Sequence, residues 1–430
     1  MQQRVGKNKR GGIYMKKIWQ SYKQTIILLV SIIIGAIAGI VFKEDVKIVK
    51  PLGDIFINLM FVIIIPLVFL TISTSISKMK QPKRLGKIMG TIVFVIIVTS
   101  IIAVLVGMLS TYFIKLVETN DAELIRSQLS EEVEIAEEDK TILDRTVEAV
   151  TVSDFSGLFS RQNILAVMVF SILVGIAMNM SGEKAKPFER VLISANDVVM
   201  NVLKIITYYA PIGLGCYFAV LVGTFGESIA IGYAKTFAIY TIVACAFFVI
   251  VYTIYAFIAG GKKGVKVFWK NVIDPTVTSI ATCSSAACIP GNIEAVKKMG
   301  VKNDIAETLI PLGTSFHKDG SIIGTVFKIM FLVCLFGTNI SNIGGIVQVV
   351  LVSLVATLLV SAVPIGGGTI SEMMILSMMG YPVSALPILT IIATIIDPPA
   401  TMLNVTGNTA SGMLVARIVD GKEWKENVRC

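Results

Sequence analysis

The sequence predicts an all-α polytopic membrane protein, and three observations carry that expectation. Of the 430 residues 54% are hydrophobic and mean hydropathy is +0.79; a soluble chain of this size carries more charge and shorter apolar runs. Thr25 to Phe42 holds no charged residue and is long enough to cross a bilayer. Near the C-terminus a polar stripe of Asp397, Thr401, Asn404 and Asn408 interrupts an apolar segment at spacings of four, three and four. Those spacings put the four side chains on one helix face. A carboxylate at membrane depth is costly, so it marks a functional site by default. Pro398 and Pro399 follow Asp397, remove backbone donors and predict a helix broken there.

Taken in order, further apolar runs occupy Ile55 to Ile76, Ile88 to Ile114, Ile164 to Met178, Val199 to Val222, Phe237 to Ala259, Ile322 to Phe336 and Ile346 to Val363. The first run is a full span without a small-residue cleavage site, so no cleavable signal peptide is expected. The net charge of +9 is no nucleic-acid signal, because the positives sit in short loops. Met1 to Lys17, Lys78 to Lys87, Lys184 to Arg190, Lys262 to Lys270 and Lys297 to Lys302 are basic, which places them in the cytoplasm. The acidic loop from Glu118 to Asp154 then faces outside, with three spans before it and three more before Lys262. Both termini fall in the cytoplasm.

The second half departs from ordinary spans. Between Ile273 and Asn292 the run is broken by TSIATCSSAACIPGN, flanked by basic segments on both sides. An apolar segment with both ends on one side is a re-entrant hairpin. The pattern recurs between Val352 and Met379, with Pro364 and the glycines Gly366, Gly367 and Gly368 inside it. Each hairpin precedes a helix interrupted by polar residues, Thr308 to Leu335 at GTSFHKDGS and Pro387 to Ile418 at DPPATMLN. Two such units of opposite orientation predict an inverted repeat with a binding site at the midplane.

Several residues carry two readings each. Ser284 and Ser285 sit at a hairpin tip, where half-helix amides hold a carboxylate, or they pack helices. The three glycines permit a tight turn or form a gate. His317, the one histidine, is a proton carrier or a satisfied buried ring. Lys318 and Asp319 form a cation-handling site or a structural ion pair. Glu372 pairs with Lys318 or faces external water. The six cysteines show no metal spacing, and the five in apolar segments read as small buried hydrophobes.

These stretches together resemble the dicarboxylate/amino acid:cation symporter family, which includes glutamate transporters and neutral amino acid exchangers. The resemblance rests on VKIVKPLGDIFINLM and IIIPLVF between Val46 and Phe69, and on YYAPIGLG from Tyr208 to Gly215. It rests also on SSAACIP from Ser284, KKMGV from Lys297, GTSFHKDGS where the family has an Asn-Met-Asp-Gly-Thr break, and NVTGN from Asn404 to Asn408. It implies eight transmembrane helices, two re-entrant helical hairpins, a homotrimer, and a transport domain that slides against a scaffold as an elevator. Residues 1–80 would form scaffold spans one and two, 81–117 span three of the transport domain, 118–160 the acidic external loop and 161–231 scaffold spans four and five. Residues 232–430 would complete the transport domain with span six, the first hairpin, span seven, the second hairpin, span eight and a cytoplasmic tail.

The resemblance also implies roles. Ser284, Ser285, Ser321, Pro364, Gly367, Asp397, Ala400, Thr401 and Asn404 fall at substrate positions, with Asp397 matching the partner of the substrate α-amino group. Members that carry acidic substrates have an arginine where this chain has Ala400, and Cys283 lacks the alternative arginine of other relatives. A second substrate carboxylate would thus be left uncompensated. Thr99, His317, Lys318, Asp319, Asn404 and Asn408 fall at cation positions, with Asp319 matching a sodium ligand. His317 replaces an asparagine, Ile96 a tyrosine, Asn408 an aspartate and Lys318 a methionine.

The expectation is therefore a secondary active transporter of a neutral amino acid in a bacterial cytoplasmic membrane. It has no enzymatic activity, no cofactor beyond a coupling sodium ion or proton, and no nucleic-acid partner. Cation coupling is altered, toward proton coupling or sodium independence. The alternative is a sodium- or proton-coupled symporter of C4-dicarboxylates or acidic amino acids. Two other classes are a channel and an intramembrane hydrolase using a Ser284 or Ser285 dyad with Lys318.

Overall fold

The computed structural model describes residues 26–77, 85–117, 151–160, 163–225, 227–286, 288–338, 340, 342–358, 367–421 and 424, and every regular element among them is helical. The helices are α1 (26–42), α2 (Lys50–Ser77), α3 (Leu85–Thr111), α4 (Ile164–Ser181), α5 (Lys186–Phe225), α6 (Glu227–Ala246) and α7 (Tyr252–Asn271). They continue with α8 (Ile273–Thr282), α9 (Ile289–Lys298), α10 (Asn303–Phe316), α11 (Asp319–Phe336), α12 (Ile343–Leu358), α13 (Gly367–Met379) and α14 (Leu386–Val419). Pro364 and Gly366 lie outside the described residues, as do 118–150 of the acidic loop, Met1 to Lys17 and Cys430.

A 3-10 turn, Lys43–Val49, joins α1 to α2. A Cβ on Gly35 would strike the backbone of Gly215 and one on Gly39 that of Ala219, so α1 runs parallel to α5. Gly53 lies against Tyr217 and Gly213 against Phe56, so α2 runs the opposite way. The chain thus reverses between two apolar helices that approach a third through glycines, a packing common where lipid is the solvent. A 50° bend separates Val169–Ile206 from Tyr208–Thr224. Its cause is Pro211, which has no N–H for the carbonyl of Thr207. Ser73 on α2 donates to the Ser171 carbonyl of α4 at 3.1 Å, and α2 packs chiefly on α4 and α5.

The other group is centred on α11 and α14, which lie side by side with α3, α6, α7, α8, α10 and α12 around them. A π-helical segment, Phe247–Val251, joins α6 to α7. Within α7, Gly261 (φ 62°, ψ −151°) breaks the helix just before the basic stretch from Lys262, in a conformation that favours glycine. The shape is inside-out relative to a water-soluble fold. Ile33, Ile34, Val62, Leu109 and Ile242 are exposed, while Thr99, His317, Asp319, Asn404 and Asn408 are buried. Such a surface suits a hydrocarbon solvent.

Among the described residues five helical stretches are long and apolar enough to cross a membrane, or six counting the bent pair. Ile343–Thr357 and Ile370–Met379 are shorter apolar helices. The expected break in the last helix is corrected: α14 runs unbroken through Pro398 and Pro399. The prolines deprive only the Thr394 and Ile395 carbonyls of helical partners, and the close approach of α11 just beyond them holds the path straight. The cysteine expectation is corrected too. Cys288 alone of the five described is buried, and Cys245 is exposed on the apolar exterior.

Candidate functional site

The site begins where α10 ends. His317 (φ −95°, ψ 101°) is extended, Lys318 (φ −136°, ψ 61°) is neither helical nor extended, and α11 starts at Asp319. A break exposes backbone groups that need partners at membrane depth. Here the side chains of neighbouring helices supply them. Ser321 N–H donates to Asn404 Oδ1 at 3.1 Å, and Asn404 Nδ2 donates to Ser321 Oγ at 3.0 Å. Tyr240 O–H donates to the Gly320 carbonyl at 2.7 Å. Gly320 has no side chain because α14 leaves no room: a Cβ there would overlap the Ala400 carbonyl.

Beside the break is a second cluster. His317 Nε2 lies 2.9 Å from Thr99 Oγ1, 3.1 Å from Ser411 Oγ and 3.4 Å from Asp319 Oδ1. The Asp319 carboxylate beside Nε2 accepts only, so a proton on that nitrogen would face it, and the two hydroxyls can take either role. Tyr252 O–H lies 2.8 Å from the Leu403 carbonyl and 3.2 Å from Asp319 Oδ2. Among the described residues, His317 Nδ1, Asp319 Oδ1 and both amide atoms of Asn408 are buried without a hydrogen-bond partner. Asn408 presses against Gly313, whose Cβ would overlap its Oδ1. Unsatisfied buried polar atoms at one place point to an ion or solute. Carboxylate and hydroxyl oxygens such as those of Asp319 and Thr99 are hard ligands that suit a small hard cation.

The polar face of α14 looks toward these elements. Thr401 Oγ1 donates to Asp397 Oδ1 at 3.2 Å. Asp397 is half-buried, and Thr401, Asn404 and Asn408 are buried. The structure therefore brings Asp397, Thr401, Asn404 and Ser321 together at one side of the break, and Thr99, His317, Asp319 and Ser411 at the other, while Asn408 lies against Gly313, one turn before His317. Ser284 and Ser285 are half-buried in the turn between α8 and α9, and Gly367 is the first residue of α13. Lys318 is half-buried, and its ammonium forms no hydrogen bond or ion pair with a described residue. The structural Lys318–Asp319 pair and the Ser-Lys dyad are accordingly not formed.

Glu372 corrects both expectations for it. It is 1% exposed and pairs through Oε1 with Lys328 Nζ at 3.1 Å, and its Oε2 accepts from Thr390 Oγ1 at 2.7 Å. Lys328 was legible as the one charge inside the apolar run from Ile322 to Phe336, and intramembrane charge is itself a signal. Tyr240 and Tyr252 gave no such signal, since tyrosines in spans more often mark membrane interfaces. Asn292 on α9 was also missed. Its Nδ2 donates to the Val405 carbonyl at 2.9 Å, and its Oδ1 accepts from Thr409.

Polar side chains buried between helices and wrapped by an apolar exterior mark a multi-pass membrane protein with a function inside the bilayer. Residues 25–418 match the sodium:dicarboxylate symporter family, and the chain belongs to it. It is 27% identical to the proton/sodium-glutamate symport protein of Bacillus caldotenax, over 94% of this chain and 95% of that one. It is 26% identical to the C4-dicarboxylate transport protein of Pseudomonas syringae pv. syringae (strain B728a), over 91% and 87%. A C4-dicarboxylate transport protein of Bacillus subtilis (strain 168) is 25% identical over 91% and 93%. The family is one of cation-coupled transporters rather than enzymes.

Proposed function

We propose that the chain carries a neutral, zwitterionic amino acid across the bacterial cytoplasmic membrane, with both termini inside. One observation supports this most. Asp397 offers a carboxylate to an α-ammonium, a charge-assisted pair that is strong in a dry site, while Ala400 three residues on is packed under Gly320 and offers no cation. Lys328 is already neutralised by Glu372. Ser321, Thr401 and Asn404 would orient the solute, with Ser284, Ser285, Pro364 and Gly367 closing on it from two re-entrant hairpins. Eight spans and an elevator movement complete the reading. The α1, α2, α4 and α5 group would be the fixed scaffold of a homotrimer, and α3 with α6 to α14 the moving part. The separate packing of the two groups supports that division.

Coupling is read from His317. Its imidazole lies between Thr99 and Asp319, the residues that would otherwise share a sodium ion. Asn408 brings no charge to the other cation position. A proton rather than sodium is thus the coupling ion in this reading, and His317→Asn would restore a dependence on sodium.

A second reading is an acidic amino acid or C4-dicarboxylate, the solutes named for the relatives. The Lys318 ammonium, without a partner among the described residues, would then meet the extra carboxylate. Purified protein in liposomes separates the two. Labelled serine, alanine, glutamate and succinate are offered under sodium and proton gradients imposed separately. Faster uptake of the zwitterions, driven by the proton gradient, supports the first reading. Faster uptake of glutamate or succinate establishes the second.

A further inference from the structure

The polar face of α14 does not stop at Asp397. Thr394 and Thr390 continue it toward the N-terminus at spacings of three and four, on the same side of the helix. On α11 the residues Ser321, Thr325 and Lys328 repeat the pattern at four and three. Ser321 meets Asn404 at one end of this double row. At the other end Glu372 of α13 joins Lys328 to Thr390, one carboxylate oxygen to each, at 3.1 and 2.7 Å. Between them Thr325 Oγ1 lies 3.2 Å from Thr357 Oγ1 of α12. Asp397 sits midway along α14, seven residues from Thr390 and seven from Asn404, or about 10 Å along the helix from each.

The two helices therefore carry one charge each, Lys328 on α11 and Asp397 on α14, and Glu372 of α13 adds a third beside Lys328. Lys328 is 8% exposed and Glu372 1%, so water screens neither. Replacing such a pair with an apolar one would often cost nothing or even stabilise, so stability alone does not explain it. We propose that the Lys328–Glu372 pair sets the net charge of the solute that Asp397 accepts. With Glu372 ionised the three groups sum to one negative charge, which matches one ammonium. Without Glu372 the Lys328 ammonium is free to face Asp397. It then opposes an incoming ammonium and favours an added carboxylate. This inference rests on Asp397 being the ammonium partner.

The test is the ratio of succinate to serine uptake by full-length protein in liposomes. Glu372→Gln is expected to raise that ratio by about tenfold or more, and Lys328→Met to lower it, because the uncompensated charge has opposite sign. Glu372→Asp is expected to hold the wild-type ratio. The double variant Lys328→Met/Glu372→Gln, which removes both charges, is expected to bring it back toward wild type. A pair that only braces the helices would weaken both uptakes alike, and equal ratios in the two single variants would overturn the inference. Should a single variant fail to fold, a large ratio change in the double variant would overturn it as well. A wild type that prefers succinate sinks the substrate reading instead, while the opposite shifts of the two single variants still report on the pair.

Discussion

The two polar helices of the core solve the same problem in opposite ways. The α10–α11 segment breaks at His317 and Lys318, where no proline stands; its one proline, Pro311, lies inside α10. The α14 helix contains two consecutive prolines and does not break. What decides is the supply of partners. At the α10–α11 break, Asn404 and Tyr240 reach in to take a backbone amide and a carbonyl. At the α14 prolines Gly320 brings the α11 backbone against Ala400, so the helix has a wall to lie on. A lost helical bond is tolerated at membrane depth if something else fills the place, and that is a tertiary property.

The comparison breaks most severely if the intact stripe loses its charge. Asp397→Asn is expected to lower solute affinity by an amount on the order of 3–5 kcal/mol, since a buried ammonium would lose its partner. Calorimetric titration of the purified variant measures this, with elution volume showing that the protein still assembles. Gly320→Val comes next. The added side chain would collide with the Ala400 carbonyl and push α11 off α14, at a cost of about 2–3 kcal/mol. The expected sign is a lowered melting temperature together with lost uptake. Tyr240→Phe leaves the Gly320 carbonyl without its donor and is expected to cost about 1–2 kcal/mol, read in the same melt. At the small end, Gly90→Ala in α3 meets open space. It is expected to be silent or to stabilise by about 0.5–1 kcal/mol, which calibrates the scale for Gly320.

How much of this was legible depended on the range of the interaction. The apolar runs, the face shared by Asp397, Thr401, Asn404 and Asn408, and the break at GTSFHKDGS are local patterns, readable from spacing and residue type. The continuity of α14 was not, because local chemistry at Pro398 and Pro399 argues for a break and only Gly320 of another helix argues against it. Glu372 was misassigned for a similar reason. Its partners Lys328 and Thr390 lie 44 and 18 residues away, and nothing in the intervening sequence fixes which faces meet. His317 joins residues from α3 and α14, 218 and 94 positions distant, so its role as the centre of a cluster was one of two open readings.

The most direct test of the central claim removes the charge from the solute rather than from the protein. Binding of L-alanine and of L-lactate, which differ in an ammonium against a hydroxyl, is compared by calorimetry on the wild-type protein. If Asp397 holds an α-ammonium, alanine binds and lactate fails to bind, and in Asp397→Asn the distinction disappears. Lactate binding as tightly as alanine, or succinate binding more tightly than either, would contradict the account.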